Sequence, residues 1–411
     1  MQTQLHDYFQ QKLPQYLDLL REMVIINSFT ANAKGVNELG DLTADRFAEL
    51  GFEAERVQST NPDFGKHLVL TRRGRTEQVL GLVSHLDTVF PPEEETANDF
   101  TWRVAGDRIY GPGTNDIKGG TVMIYMVLDA LKKFAPQAFN NISWTILLNA
   151  SEETLSEDFG ALCRNRLEEN CRAVLVFEAG KWDGQTFQLV HSRKGMAKYR
   201  IKVEGKSSHS GSNHPAGANA IVQLARVVDG ISKLTDYERD LTFNVGVING
   251  GVVANRVPHF AEATGEMRSF EIDIYNQALV RLAALQEDVT VSSADGYPCK
   301  IEIDIFDKTA PWPKNDATEN LFSSWESTAK EMGLNVVREA RGGLSDGNHT
   351  WNVIPTLDGL GPHGENGHCS ERAPDGSKDQ EYVAASSFVP KAILNTLAIL
   401  KLTNENRLRN L

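Results

Sequence analysis

The sequence has no long apolar run, no excess of positive charge and few cysteines. No stretch approaches the about 20 apolar residues that a membrane-spanning helix needs. The formal net charge of −13 argues against a general nucleic-acid binder, which presents a basic surface. The start of the chain lacks the basic residues and apolar core of a signal peptide. We therefore expect a cytoplasmic protein without nucleic-acid or membrane partners, although an exported protein without its leader would look the same.

The four cysteines stand at positions 163, 171, 299 and 369 and form no C-x-x-C pair. This spacing argues against a zinc ribbon of thiolates and against a disulfide framework. We expect reduced cysteines, with a bridge between Cys163 and Cys171 left open.

The 411 residues correspond to about two to three domains. Apolar spacing over Leu5–Val24 predicts an amphipathic helix, in which Pro14 predicts a kink or a break. Short apolar runs at Val79–Val83, Ile142–Leu148 and Ala173–Phe177 predict strands. Because helical segments alternate with them, we expect an α/β fold with a mixed, mostly parallel sheet flanked by helices.

The sequence pattern changes after Gly195, where apolar and polar residues begin to alternate. The elements that follow are predicted in the order β-α-β-β-α-β, which is typical of a ferredoxin-like α+β unit. We therefore expect a first domain built from residues 1–195 and 311–411, with the second domain inserted over residues 196–310.

Polar residues follow the predicted strand Val79–Val83 abruptly, at His85 and Asp87. In open α/β sheets, ligands gather beyond the carboxyl ends of strands. An aspartate two residues from a histidine in extended chain lies on the same side, where it can hold the second ring nitrogen. Alone, such a pair more often belongs to a surface loop.

Acids follow other predicted elements in the same way. Asp116 lies in the glycine-rich stretch Gly111–Gly120, Glu152 and Glu153 follow one predicted strand, and Glu178 follows another. The glycine-rich stretch fits a phosphate-binding loop poorly, because Lys118 precedes the glycines instead of following them. Adjacent glutamates at a strand end can divide two roles, one binding a metal and the other facing a reacting water.

A second glycine-rich loop, Gly361–Glu371, contains His363 and His368. Histidine nitrogens with carboxylate oxygens suit zinc, cobalt or manganese. The carboxylates outnumber the typical three protein ligands of one catalytic zinc, which favours two divalent ions bridged by one carboxylate. We expect zinc foremost, with cobalt or manganese as alternatives.

These motifs together resemble one family. Ser84–Thr88, Gly111–Gly120, Ser151–Glu153, Phe177–Glu178 and Gly361–His368 stand in the order found in the di-zinc metallopeptidases. That family includes glutamate carboxypeptidase, acetylornithine deacetylase and succinyl-diaminopimelate desuccinylase. The resemblance covers nearly the whole chain and is nearest to the glutamate carboxypeptidase type.

The resemblance implies a role for each matching residue. His85 and Glu178 would complete one metal site, Glu153 and His368 the other, and Asp116 would bridge both. Glu152 would be the general base, and Asp87 would orient His85. The family also carries a non-proline cis peptide bond after the bridging aspartate, which is here the Asp116–Ile117 bond.

The inserted domain would act as a lid and a dimerisation domain. His209, in Gly205–Gly211, resembles the family histidine that stabilises the tetrahedral oxyanion, often from the partner of a homodimer. Arg268 is our candidate for binding the substrate carboxylate, since its planar fork matches a carboxylate, with Asn255 as a neutral partner. The alternative is that Arg268 only pairs with Glu266 or Glu271.

Two departures from the family pattern stand out. A charged stretch, residues 371–380, separates His368 from Glu381-Tyr382-Val383, and only Lys308 stands where glutamate-specific relatives often carry an arginine. We expect a hydrolase of a peptide or amide bond next to a free carboxylate, acting on a small peptide. The alternatives are an N-acyl amino-acid deacylase and a non-catalytic binding protein on the same scaffold, against which the presence of Glu152 argues.

Overall fold

A computed structural model describes residues 1–154, 156–167 and 170–404 of the chain. The chain divides into two compact units. The first contains Met1–His191, Lys314–Ala340 and Ser345–Leu411, and the second contains Ser192–Pro313 and Arg341–Leu344. The predicted segment 311–411 extends past the described residues at its end.

The first unit begins with helices and strands that alternate along the chain. Up to its junction with the second unit the elements are α1 (Gln2–Ile25), α2 (Ala33–Ala48), β1 (Glu53–Gln58), β2 (Lys66–Arg72), β3 (Val79–His85), α3 (Pro92–Ala97), β4 (Arg103–Ala105), β5 (Arg108–Tyr110), α4 (Gly119–Phe134), α5 (Pro136–Asn141), β6 (Ser143–Asn149), α6 (Glu157–Leu167), β7 (Cys171–Val176), β8 (Lys181–Trp182) and β9 (Thr186–Arg193).

The second unit and the return of the chain to the first complete the order. The second unit contains β10 (Gly195–Glu204), α7 (Ala220–Ser232), β11 (Thr242–Gly250), β12 (Phe260–Ser269), α8 (Ile272–Ala284) and β13 (Lys300–Thr309). The first unit then continues with α9 (Asp316–Glu331), β14 (Asn335–Arg341), β15 (Thr356–Leu357), β16 (Gly364–Glu365), β17 (Tyr382–Ala384) and α10 (Ala385–Asn404).

The main sheet of the first unit has the strand order β1-β2-β6-β3-β7-β15. The pairs β6–β3, β3–β7 and β7–β15 are parallel, while β1–β2 and β2–β6 are antiparallel. The sheet is buried on both faces, since Leu68 and Leu70 belong to one apolar cluster and Val69 to another. The predicted mixed, mostly parallel sheet flanked by helices is confirmed.

The first helix is continuous through Pro14, so the alternative of a break into two helices is wrong, while the alternative of a kink stays a prediction. Proline removes one helical hydrogen bond and crowds the preceding turn. Here Leu5 and Phe9 before it and Tyr16 and Leu20 after it are all buried. The apolar face is therefore continuous across the proline, and its packing holds both halves in one helix.

The second unit is a four-stranded antiparallel sheet with the order β11-β12-β10-β13. Together with α7 and α8 its elements follow the predicted β-α-β-β-α-β order. The segment Arg341–Leu344 also belongs to this unit, an association that the sequence pattern does not reveal.

The four cysteines are free, as expected. Among the described residues, no helix combines the length and the apolar character that crossing a bilayer requires.

Candidate functional site

Three neighbouring parallel strands of the first unit end at the same edge of the sheet. β3 lies between β6 and β7, and the β3–β6 register pairs His85 with Asn149. Carboxyl ends of parallel strands are where α/β proteins gather ligands. The residues that follow these strands, with Glu152, Glu153 and Glu178 among them, therefore start from one edge, beside His85.

His85 is buried and points both ring nitrogens at acceptors. Its Nε2 lies 3.0 Å from Asp116 Oδ1 and 3.8 Å from Glu178 Oε1. Its Nδ1 lies 2.9 Å from the backbone carbonyl oxygen of Asp87 and 3.6 Å from Asp87 Oδ1. The hydrogen bond that orients the His85 ring therefore involves the main-chain carbonyl of Asp87. The sequence analysis expected the side-chain carboxylate of Asp87 in that position.

The Asp87 carboxylate is used in another way. Its Oδ1 accepts the backbone N–H of Glu152 at 3.0 Å, and its Oδ2 accepts that of Glu153 at 3.2 Å. Oδ2 also accepts the hydroxyl of Thr30 at 2.7 Å. Asp87 thus ties the turn that carries both glutamates to the end of β3.

His368 closes the other side of the cluster. Its Nε2 lies 3.1 Å from Glu153 Oε2 and 3.3 Å from Asp116 Oδ2. Asp116 therefore presents one carboxylate oxygen to each histidine. His363 lies elsewhere in the same loop, where its backbone N–H donates to Ser387 Oγ at 2.9 Å. The peptide bond between Asp116 and Ile117 is cis, as the resemblance implied.

The charges of this cluster shift one another strongly. Hydrogen bonds to Asp116 and Glu153 raise the pKa of His368 to about 11. Burial lowers the pKa of His85, but the hydrogen bond to Asp116 and the charges of Glu152 and Glu178 raise it well above its usual value. Burial and the charge of Asp116 raise the pKa of Glu153. The acids are therefore crowded enough to need compensating positive charge.

The donor set fits a divalent metal ion. Ligand atoms of His85, Asp116 and Glu153 lie within 4.8 Å of one another. Glu153 Oε1 is buried and has no hydrogen-bond partner among the described residues. Nitrogen and carboxylate oxygen donors suit zinc, cobalt and manganese. The arrangement can hold at least one such ion.

Glu152 is half-buried beside this cluster. Burial raises its pKa well above the usual value; the charge of His85 opposes this, while the charges of Glu178, Asp346 and Glu153 add to it. The Glu152 carboxyl group is thus close enough to interact electrostatically with both His85 and Glu178. Glu153, by contrast, is hydrogen-bonded to His368.

Glu381 belongs to the site region although the sequence reasoning gave it no role. Its Oε1 accepts the backbone N–H groups of Asn115 at 2.8 Å and Asp116 at 3.1 Å. Burial, with the charge of Asp116, raises its pKa to about 8. The sequence feature that could have identified Glu381 is the Glu381-Tyr382-Val383 tripeptide, which belongs to the family pattern and here follows the charged stretch 371–380. That stretch is closed at its base by the Glu381 N–H, which donates to the Cys369 carbonyl at 2.8 Å.

The substrate-binding candidates all lie in the second unit, but they do not converge. His209 and Asn255 are exposed neighbours, since the backbone N–H of Ser210 donates to the Asn255 carbonyl at 3.1 Å. Asn255 precedes the first residue of β12, Phe260, whereas Arg268 lies near the last. The eight residues of extended strand from Phe260 to Arg268 span roughly 26 Å. The joint binding of one substrate carboxylate by Asn255 and Arg268 stays a prediction.

Arg268 itself is engaged by a neighbouring acid. Its Nε and Nη2 donate to the two carboxylate oxygens of Glu266 at 2.8 and 3.2 Å, and its Nη1 donates to the Gly342 carbonyl at 2.9 Å. To bind a substrate carboxylate, Arg268 would have to give up its hydrogen bonds to Glu266 and form them with the substrate instead. Separate roles for Arg268, Asn255 and His209 stay predictions.

Comparisons with known proteins agree on one family. Residues 81–394 match peptidase family M20/M25/M40. Carboxypeptidase G2 of Pseudomonas sp. (strain RS-16) is 27% identical over 394 residues, which are 95% of this chain and 89% of that protein. A tripeptidase structure from Staphylococcus aureus superposes with a TM-score of 0.76 at 22% identity, over 96% of this chain and 99% of that one.

An M20 family metallo-carboxypeptidase from Sulfolobus solfataricus has the same fold, with a TM-score of 0.69 at 17% identity over 94% of this chain and 99% of that one. The family match covers well over half of the sequence and includes the residues of the cluster described above, from His85 to His368. This chain therefore belongs to peptidase family M20/M25/M40 and is a metallopeptidase-type hydrolase that acts on amide bonds.

Proposed function

We propose that the protein is a co-catalytic, carboxypeptidase-like metallohydrolase that cleaves a peptide or amide bond next to a free carboxylate. The observation that carries the proposal is the position of Asp116, whose two carboxylate oxygens lie 3.0 Å from His85 Nε2 and 3.3 Å from His368 Nε2. A carboxylate shared between two sets of donors suits two divalent ions, about 3.5–4 Å apart. The family match and the likeness to carboxypeptidase G2 support this function.

The proposed ligand sets are those that the family resemblance implies, and the distances from His85 to Glu178 and from His368 to Glu153 support them. His85 and Glu178 would complete one metal site, Glu153 and His368 would complete the other, and Asp116 would belong to both. Zinc is the first candidate, with cobalt and manganese as alternatives. Divalent ions held there would polarise the scissile carbonyl and lower the pKa of water.

We assign the proton transfers to Glu152. Its carboxylate would accept the proton of the attacking water and deliver it to the leaving amine. Two contacts support the assignment: Asp87 holds the backbone N–H of Glu152 at 3.0 Å, and the neighbouring Glu153 is already bonded to His368 at 3.1 Å. Asp87 would then act by holding the turn that carries both glutamates.

We further propose that the second unit forms a homodimer through the edge strand β11. β11 is the outermost strand of its sheet, and an exposed apolar edge is a template for pairing with another chain. Apolar side chains are exposed on and beside it, with 56% of Ile248 and 80% of Val252 accessible. In such a dimer the exposed His209 is the candidate for completing the partner's site and stabilising the oxyanion.

The first prediction concerns the reaction. Protein stripped by a chelator should be inactive, and zinc, cobalt or manganese should restore activity, because every proposed ligand is a nitrogen or oxygen donor. A panel of dipeptides and N-acyl amino acids, each with a free and an amidated carboxyl terminus, then identifies the substrate class. Preference for free-carboxylate dipeptides supports the peptidase, and preference for N-acyl amino acids supports the deacylase. Full activity in protein that elemental analysis shows to be metal-free would contradict the proposal.

The second prediction separates the two histidines of one loop. His368→Ala should lose bound metal, because its Nε2 faces both Glu153 and Asp116. His363→Ala is the matched control from the same loop and should keep the wild-type metal content. Elemental analysis after gel filtration measures both. Equal metal loss in the two variants would show that the loop, and not the His368 ring, matters.

The third prediction separates the two adjacent glutamates. Glu152→Gln should bind metal normally and lose about 10²–10⁴-fold in kcat, the usual contribution of a general base. Glu153→Gln should lose metal first, since Glu153 shares His368 with Asp116. Titration calorimetry and steady-state kinetics measure the two effects. The opposite pattern would mean that the two roles are exchanged.

The fourth prediction tests the dimer. Ile248→Lys places a charge on the exposed edge of β11 and should convert a dimer to a monomer in sedimentation velocity, with metal content retained and activity lost. Val104→Lys adds the same charge at an exposed valine of β4 and should leave the dimer intact. A wild-type protein that is sharply monomeric and fully active would be incompatible with this proposal.

A further inference from the structure

The turn that follows β6 is held by side chains at every backbone N–H from Ala150 to Glu153. Asp87 accepts the last two of these groups. Asn149 Oδ1 accepts the N–H of Ser151 at 3.0 Å. The first, from Ala150, donates to Nδ1 of His67 at 3.1 Å. Asn149 is the last residue of β6 and Asp87 follows β3, whereas His67 reaches the turn from β2.

His67 reaches Ala150 because of the strand register. β2 pairs antiparallel with β6, and Leu68 stands opposite Leu148. One step further, His67 therefore faces the end of β6, where the turn begins. The ring is buried, with 1% of the residue accessible, and it packs 5.2 Å from the ring of Phe159. A polar ring buried in this way needs a partner at both nitrogens.

The second partner is Asp158. His67 Nε2 lies 3.1 Å from Asp158 Oδ2, which also accepts the hydroxyl of Ser59 at 2.9 Å and the N–H of Thr60 at 2.7 Å. Because the N–H of Ala150 can only donate, His67 Nδ1 must accept, and the ring proton must be on Nε2, where it donates to Asp158. Asp158 thus selects the single tautomer that can hold Ala150.

The hydrogen bonds that hold the Asp158 carboxylate in place also keep it ionised. Burial raises its pKa, but the hydrogen bonds from Thr60, His67 and Ser59 prevail and lower it to about 2. The carboxylate therefore stays an acceptor for the Nε2–H of His67 at neutral pH.

We propose that His67, oriented by Asp158, is a positioning residue that fixes the Ala150–Glu153 turn and with it the carboxylates of Glu152 and Glu153. This inference rests on the proposed function, in which one of these glutamates holds metal and the other moves the proton. His67 itself touches neither substrate nor metal. Partners that orient a metal site's ligands typically contribute about 10–100-fold in metal affinity or activity when they are lost.

Two substitutions separate the hydrogen bond from the bulk of the ring. His67→Phe keeps a planar ring but has no acceptor for Ala150. His67→Asn keeps an oxygen at the position of Nδ1, so it can accept that N–H, although it gives up Asp158. We expect His67→Phe to lose about 10–100-fold in kcat and in zinc affinity, and His67→Asn to recover most of the loss. Zinc affinity is measured on metal-free protein by competition with a chelating dye.

Two controls distinguish positioning from general loss of stability. Tyr16→Phe removes a buried hydroxyl that donates to Asp129 at 2.6 Å, remote from the candidate ligands, and should leave kcat and zinc affinity unchanged. Asp158→Ala should lower kcat in the wild-type background but cause no further loss in the His67→Phe background, because Asp158 acts through His67.

The outcomes separate the inference from the function on which it rests. If the wild type binds zinc and hydrolyses substrate while folded His67→Phe stays within twofold of it in both measurements, the positioning role is overturned alone. If His67→Asn is as impaired as His67→Phe, or if the losses from His67 and Asp158 simply multiply, the role of the hydrogen bond is overturned. A wild type that neither binds zinc nor hydrolyses any member of the panel overturns the proposed function and this inference together.

Discussion

The candidate site depends on one carboxylate that faces two imidazoles at once. Asp116 can do so only if its backbone is held while His85 and His368 approach from different sides. Glu381 holds that backbone through the N–H groups of Asn115 and Asp116. Buried like charges are costly unless positive charge compensates them, and a divalent cation bound by these carboxylates and imidazoles would provide it. The same geometry that crowds the acids therefore creates the affinity for a cation.

Glycines allow the loop that carries Asp116 and the loop that carries His368 to pack closely against the end of β7. A Cβ at Gly120 would lie 2.0 Å from the carbonyl oxygen of Phe177, and one at Gly361 would lie 2.6 Å from the same atom. Both distances are too short for any side chain. The end of β7, which leads into Glu178, is therefore wedged between the loop of Asp116 and the loop of His368, and the backbone N–H of Gly361 donates to the Glu178 carbonyl at 2.8 Å. The glycine-rich character of both loops has a packing cause.

The sequence predicted the parts of the site that follow from local pattern. Apolar runs ending in His85, Glu152, Glu153 and Glu178 locate strand ends, and parallel strands bring such ends to one edge. It could not predict contacts between distant segments. The polar edge strand β1 has no buried residue to give a periodic signal, so the sequence pattern does not predict it. The use of the Asp87 main-chain carbonyl depends on backbone geometry that residue types alone do not contain. The pairing of Arg268 with Glu266 was one of the alternatives that the sequence left open, and only the side-chain geometry selects it.

The comparison of His67 with His368 shows that sequence pattern alone does not assign a role to each histidine. His67 stands at the start of an apolar run, whereas His368 ends a glycine-rich run that resembles a family motif. In the fold, His368 faces carboxylates, whereas His67 faces a backbone N–H and one aspartate. Two adjacent glutamates that face different partners repel each other, and a free turn would let them separate. Holding each N–H of the turn opposes that separation, so groups that never touch the two carboxylates would help to position them, in addition to the direct contact of Glu153 with His368.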